Sequence, residues 1–399
     1  MKAPLLGPVL LALGLRLATV LACDRVVADV ARFERQARHL LDVSWNPYET
    51  KRLHPYPPPW AAAEAGALWL ARRGAGSFAV NLKLPVLTAD LLLVALLAAA
   101  ARSGRASPLA PWLYAAHPVS LLVGGVHGQF DAIPLLFLLL AVEALARGRR
   151  DGSALALSAA IAAKSFPVLA LPFLALDGRA SLRSAARYAL LALAPGALLL
   201  LPFVIADPGA VRRELFAYGG IADFGWAGVL RGASWLATGA LPRSEARSWP
   251  MASLVSKALF LAAWAALFIA VRTGRLRLGA ERAVLAVLLA FSTLYGLQSA
   301  QYLLWAVPFG LLRPGRAAAF HAGAATAALV GFYLFLAPGV LWPAPLGDTA
   351  ARLAGLLWVA GTLATLAASA AWLRAVLRGE TALRAATDAT ERPSSSPSA

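Results

Sequence analysis

With a single cysteine, Cys23, the 399-residue chain can form no intrachain disulfide and no cysteine-rich metal centre. Its five histidines show no zinc-type spacing. Lysine is just as scarce, at positions 2, 51, 83, 164 and 257, so arginine carries most of the 37 basic charges set against 20 acidic ones. The resulting formal charge of +17 lies between apolar runs and forms no basic stripe interleaved with aromatics, which argues against a nucleic-acid partner. Nothing suggests a separate soluble domain. No pair of Gly/Pro-broken helices recurs in two halves, as an inverted-repeat transporter would require.

What the chain has in abundance is apolar sequence: 60% of its residues are hydrophobic and its mean hydropathy is +0.67. The fold class expected is all-α, a polytopic membrane protein of about 10 to 12 transmembrane helices including one short hairpin. Spans are predicted near 4–22, 84–101, 109–125, 131–146, 188–205, 252–271, 283–297, 300–312, 317–338 and 351–373. The segment 154–176 is too short for two crossings, yet basic loops flank it on both sides. A hairpin of short helices turning at "KSFP" (164–167) satisfies the charge rule, provided that its backbone is buried in protein or lines a wet cavity. The N-terminus resembles a signal peptide, with "VLAC" before Asp24 as a faint lipoprotein site that Leu21 fits poorly; an uncleaved signal anchor is the better reading. Residues 1–374 form one transmembrane domain, and 375–399, ending "ERPSSSPSA", read as a disordered cytoplasmic tail.

Short arginine-rich loops at 102–105, 147–150, 179–187, 272–282 and 313–316 fix the orientation as cytoplasmic. Every polar motif then falls on the outer face: loop 24–82, "HGQFD" (127–131), "KSFP", loop 206–250 and "QSAQY" (298–302). Within the first loop, Val30, Phe33, Ala37, Leu40 and Leu41 recur at a helical period, which predicts an amphipathic surface helix. The proline-rich stretch 46–60 breaks it, and 60–73 resumes as a second surface helix. Together they make a lid.

Several residues carry two readings. Asp29 opens the first surface helix as an N-cap or as a general base at headgroup level, with Asp24 as the backup acid. Asp131 is another helix cap, but His127 and Gln129 beside it make an outward helix start suited to phosphate or sugar hydroxyls. Lys164 either snorkels or holds a phosphate as a point charge. Tyr302 and Trp305 fit an aromatic belt, whereas Gln298 and Gln301 suit sugar recognition. Arg16 and Asp90 lie inside spans and are expected to pair, while Lys83 stands just outside its span and could reach the outer surface.

Four stretches taken together resemble the GT-C superfamily of membrane glycosyltransferases, above all the bacterial polyprenyl-phosphate-mannose enzymes and the first mannosyltransferase of glycosylphosphatidylinositol synthesis. They are "ADVARFERQARHLLDVSWNPYETKRLHPYPPPW", "HPVSLLVGGVHGQFDAIP", "AAKSFPVLALP" and "SAQYLLWAVP". By position the resemblance puts the catalytic acid at Asp29. It makes Asp24, Asn46, Tyr48, Tyr56, His127, Gln129, Asp131, Gln298, Gln301 and Tyr302 donor- or acceptor-binding, and Lys164 with Arg212 or Arg213 phosphate-binding. Some relatives have an Asp-x-Asp pair where this chain has Val27, so a divalent metal is supported by no ligand pattern here. The implied reaction moves a sugar, mannose by resemblance, from a polyprenyl-phosphate donor to a lipid or glycan acceptor on the outer face of the plasma membrane, with inversion. Polyprenyl phosphate leaves readily, so no general acid is required. Membrane lipids are the only other partners implied; no protein partner is indicated. The rivals are a lipid-linked sugar flippase, which would place its ionisable groups near the midplane, and a surface-polysaccharide polymerase or ligase, which would use a larger late loop.

Overall fold

A backbone in hydrocarbon must bond to itself, so each apolar run folds as helix except where proline or glycine intervenes. The computed structural model describes residues 6–23, 28–50, 55–178, 180–216, 219–342, 344 and 346–390. The chain begins with α1 (Leu6–Ala22), followed by the two lid helices α2 (Ala28–Asp42) and α3 (Pro58–Arg72) and the long α4 (Phe78–Arg102). The predicted span 109–125 is not one helix. It breaks into α5 (Ala110–Ala115), α6 (Pro118–Ser120) and one π-helical turn, Leu121–Val126, because Pro118 has no N–H to continue the ladder after His117. Gly124 and Gly125 make that turn thin enough for its neighbours, since a Cβ on Gly124 would lie 3.3 Å from Asp90 and one on Gly125 would strike Thr19.

Next come α7 (Ala132–Ala146) and the expected hairpin: α8 (Arg150–Ala163), a turn at Lys164, a 3-10 stretch Phe166–Ala170 and α9 (Leu171–Ala175). Helix α10 (Leu182–Ala206) leads through α11 (Pro208–Val211) to α12 (Gly225–Thr238), and α13 (Pro250–Arg272) and α14 (Ala280–Leu294) follow. The predicted span 300–312 is a 3-10 stretch, Ala300–Leu304, joined to α15 (Val307–Leu312), and the chain closes with α16 (Arg316–Phe335) and α17 (Asp348–Thr390). Helix α17 thus continues into the segment from 375 that composition had marked as a tail.

The described residues contain no strand, only two isolated bridges, and the protein is an all-α, multi-pass membrane protein. Among the described residues, five helices are long and apolar enough to cross a bilayer by length and composition: α4, α10, α13, α16 and α17 up to Gly379; shorter apolar helices include α1 and α7. Helices α16 and α17 pack most closely, because Gly331 and Gly361 bring each backbone against the other; a Cβ on either would meet main-chain atoms of the facing helix.

The intramembrane pair forms as expected. Arg16 Nε lies 3.0 Å from Asp90 Oδ2, and both side chains are buried. Tyr114 donates its hydroxyl to Asp90 (2.6 Å), and Arg16 also donates to the Ala115 carbonyl (2.8 Å). One charge left alone there would cost far more than the pair. Asp90→Ala should therefore lower the thermal stability of the detergent-solubilised protein by the equivalent of about 3–5 kcal/mol. Adding Arg16→Met should recover most of that loss, and an unaffected single variant would show that the pair does not hold α1 against α4.

Candidate active site

The site is built on residues 126–131, which leave helical geometry at Gly128. Gly128 has φ +78°, and a Cβ there would lie 3.0 Å from Val30 and 3.2 Å from Lys83. Lys83 is not at the surface as its position suggested. Helix α4 begins earlier than the predicted span, so Lys83 is buried inside it and donates to the carbonyls of Cys23 (2.9 Å) and Val126 (3.4 Å). The lysine thereby ties the end of α1 to the start of the site segment.

Asp29 lies in the first turn of α2, and its carboxylate is the focus of the site. One oxygen meets His127 Nε2 (3.0 Å) and accepts from the side-chain amide of Gln129; the other meets Arg32 (2.9 Å). Burial pushes the Asp29 pKa up, but the Arg32 charge and the His127 and Gln129 hydrogen bonds outweigh it and hold the group below the usual carboxylate range. On its other side, His127 Nδ1 is 2.8 Å from the Tyr333 hydroxyl, which itself lies 3.4 Å from the Leu122 carbonyl. A carboxylate accepts only, so His127 must carry a proton on Nε2, whatever the state of Nδ1. Gln129 Oε1 is buried without a hydrogen-bond partner among the described residues.

Asp131 does something different from capping. Although it stands at the N-cap position of α7, its side chain makes no cap bond. Lys164 Nζ lies 2.7 Å from one oxygen, and Trp305 Nε1 donates to the other (2.6 Å). The Lys164 ammonium also faces the rings of Phe130 (4.8 Å) and Tyr56 (5.3 Å), and Trp305 stacks on Phe166 at 3.8 Å. Phe130 in turn stacks on Trp60 of α3 (3.9 Å) and meets Tyr56 (4.9 Å) and Phe33 of α2 (6.4 Å). An aromatic cluster therefore latches both lid helices onto the site segment. Of the expected apolar face of α2, Val30, Phe33 and Ala37 are buried in protein, while Leu40 is half-buried and Leu41 exposed.

Beside Arg32 opens a cavity of about 590 Å³, bordered by Pro55, Arg213, Glu214, Gly219–Ile221 and Glu245–Arg247. Arg32, Arg213 and Arg247 bring three cations to it, each beside a carboxylate: Asp29 (2.9 Å), Glu214 (3.6 Å) and Glu245 (3.6 Å) respectively. Of the residues expected to hold phosphate, Arg213 lines this cavity, whereas Arg212 is exposed outside its lining and the Lys164 charge is committed to Asp131.

The remaining expected residues have internal work. Asn46 is buried and accepts from the Tyr48 amide (3.1 Å), and the Tyr48 hydroxyl donates to the Tyr56 carbonyl (2.9 Å), so the Asn-Pro-Tyr motif shapes the lid from within. The Gln298 amide donates to the carbonyls of Ser292 (2.8 Å) and Tyr295 (2.6 Å), finishing the end of α14. Tyr302 packs between Phe291 and Trp305, and Gln301 is buried with Oε1 unpartnered. Asp24 lies outside the described residues.

Four residues at or near this site were not foreseen: Arg32 as the partner of Asp29, Tyr333 behind His127, and the pair Asp223–Arg231 (2.8 Å) in loop 206–250, next along the chain from the cavity-lining Gly219–Ile221. The i, i+3 spacing of Asp29 and Arg32 was a signal for the first. Tyr333, inside an apolar run, gave none.

Residues 28–177 match the model of a family described as alpha-(1->6)-mannopyranosyltransferase, N-terminal domain. The match opens one residue before Asp29 and includes His127, Gln129, Asp131 and Lys164; residues 178–399 lie outside it. No curated protein matches the chain. Among solved structures it is similar to ArnT from Cupriavidus metallidurans, described as bound to undecaprenyl phosphate. The identity is 18%, 96% of this chain and 78% of that chain are covered, and the TM-score is 0.45. The class that the family match supports is a membrane glycosyltransferase, as the GT-C motifs implied. Within that class, the stretch carrying the Asp29 site is similar to the alpha-(1->6)-mannopyranosyltransferases.

Breaking the buried ion pair tests the framework. Lys164→Met should leave Asp131 uncompensated and destabilise the protein by about 3–5 kcal/mol. Adding Asp131→Asn should restore stability toward wild type, and additive losses in the double variant would contradict a direct pairing.

Proposed function

We propose that the chain transfers a sugar, mannose by the likeness of residues 28–177, from a polyprenyl-phosphate donor to a hydroxyl of a lipid or glycan acceptor, with inversion. The observation that carries this reading is one carboxylate, Asp29, kept ionised by Arg32, His127 and Gln129, with Arg32 itself lining the adjoining cavity. The acceptor oxygen attacks the anomeric carbon while the bond to phosphate breaks, and the electron pair leaves with the polyprenyl phosphate. Arg213 and Arg247, beside Arg32, meet that phosphate. The acceptor proton passes toward Asp29 as the hydroxyl becomes acidic in the transition state. Gln129 Oε1, without a hydrogen-bond partner among the described residues, can accept from a second sugar hydroxyl.

The arrangement of charge supports an extracytoplasmic site. Asp131 stands at the first turn of α7, and Glu143 in its last turn binds Arg105 (2.6 Å) and Arg147 (3.3 Å) of two arginine-rich loops. Those residues are separated by about 18 Å of helix. Short arginine-rich loops mark the cytoplasmic side, whereas a long loop such as 206–250 crosses largely regardless of its arginines, which supports an outward-facing site.

The test is transfer from radiolabelled polyprenyl-phosphate mannose in membranes containing wild type or Asp29→Asn, with released polyprenyl phosphate measured in parallel. Asp29→Asn at normal expression should lose about a hundredfold or more of the activity, and Gln129→Ala should lose a measurable fraction. Equal transfer by wild type and Asp29→Asn would remove Asp29 from the reaction.

A further inference from the structure

The turn 221–224 is fastened more tightly than a connecting loop requires. The Phe224 and Gln298 main chains exchange hydrogen bonds (2.9 and 3.3 Å), and Ala222 N–H donates to the Ser244 carbonyl (2.7 Å). Trp358 of α17 donates its indole N–H to the Asp223 carbonyl (2.7 Å). Gly225, at φ +70°, lies so close to Gly296 and Tyr295 that any Cβ would collide with their main chain. Phe224 packs on Phe332 (5.1 Å), the neighbour of the Tyr333 that bonds His127, and Gly219–Ile221 line the arginine cavity.

On this rigid turn sits Asp223, 2.8 Å from Arg231, which is itself anchored to the Pro242 carbonyl (2.7 Å). The backbone already holds the turn, so the carboxylate is not required as a fastener. Its side chain keeps 18% exposure, and among the described residues only its Oδ1 has a hydrogen-bond partner, Arg231, which leaves Oδ2 able to accept from a ligand.

We propose that Asp223 is a second carboxylate of the transfer site, positioned by Arg231 to accept a hydrogen bond from an acceptor sugar hydroxyl across from Asp29. The proposal rests on the glycosyl-transfer reading above. Its geometry implies a division of roles: Asp29 meets the hydroxyl that reacts, and Asp223 holds the acceptor ring by another hydroxyl, so that the reacting oxygen alone reaches the anomeric carbon. Burial first, and then the Asp29 charge, raise the Asp223 pKa to about 6, against the lowering effect of Arg231 and His127. The charged groups acting on it are thus Arg231 from α12, Asp29 from α2 and His127 from the site segment; Trp358 on α17 and Gln298 bring no charge. Only the ionised form accepts two hydrogen bonds well, so acceptor binding should weaken as pH falls through about 6.

The experiment uses purified full-length protein with polyprenyl-phosphate mannose and a synthetic alkyl α-mannoside as acceptor probe. Asp223→Asn should raise the acceptor KM tenfold or more, leave the donor KM within twofold, and flatten the rise of acceptor KM that wild type shows below about pH 6. Asp223→Glu retains the charge opposite Arg231 and provides the folded control; it should recover the pH dependence with an intermediate acceptor KM. An unchanged acceptor KM and pH profile in Asp223→Asn, with wild type active, would overturn this proposal alone. An equal rise of both KM values with a lowered melting temperature would make the pair structural and overturn it too. Absence of transfer by wild type would overturn the underlying reading and this proposal with it.

Discussion

The buried ion pair between Asp131 and Lys164 is the constraint on which the site depends. Residues 126–131 leave helical geometry inside an apolar bundle, where unsatisfied polar groups are expensive, and the pair supplies a fixed point. Trp305 binds the remaining Asp131 oxygen, and the rings of Phe130 and Tyr56 shield the ammonium. From that anchor, Phe130 reaches Trp60 and Phe33 of the lid, and the peptide just before it presents His127 and Gln129 to Asp29. The same short segment thus faces two carboxylates with different tasks. Asp131 is neutralised and sealed, while Asp29 remains charged and partly open.

Charge is distributed along the bundle by the same logic. Where a span must contain ionised groups, as at Arg16 and Asp90, they are paired and further bonded to Tyr114 and the Ala115 carbonyl. At one end, arginines pair with Glu143 and Glu281 between helix termini. At the other, Arg32, Arg213 and Arg247 line a cavity while lying beside Asp29, Glu214 and Glu245, the last two contacts loose at 3.6 Å, so that a phosphate can draw on the same cations. A comparable cavity of about 640 Å³ lies at the far end of α13, bordered by Arg272, Arg277 and Asp177, but burial pushes the Asp177 carboxyl up, whereas Asp29 is held below the usual carboxylate range.

Much of this was legible in sequence because polar residues in apolar surroundings are conspicuous. The grouping of His127, Gln129 and Asp131, the lone Lys164 at a hairpin turn and the Arg16–Asp90 pair could be singled out on that ground, and the two lid helices followed from period and proline placement. Partner choice was not legible. Lys164 looked available for phosphate because its counter-ion lies 33 positions away, and Gln298 looked available for sugar because its use by nearby carbonyls depends on how α14 ends. Tyr333 lies 206 positions from His127, within a run whose hydropathy conceals a hydroxyl. The span 109–125 was read through Pro118 because hydropathy does not register a missing N–H. Helix α4 begins before its most apolar stretch, which turned Lys83 from a surface group into a buried tie.

The most direct test of the central claim is a structure of the protein with a polyprenyl phosphate bound. The account predicts phosphate density among Arg32, Arg213 and Arg247, with open space for an acceptor hydroxyl against the Asp29 carboxylate. Phosphate density at Arg272 and Arg277 instead, with the cavity beside Arg32 unoccupied, would contradict it.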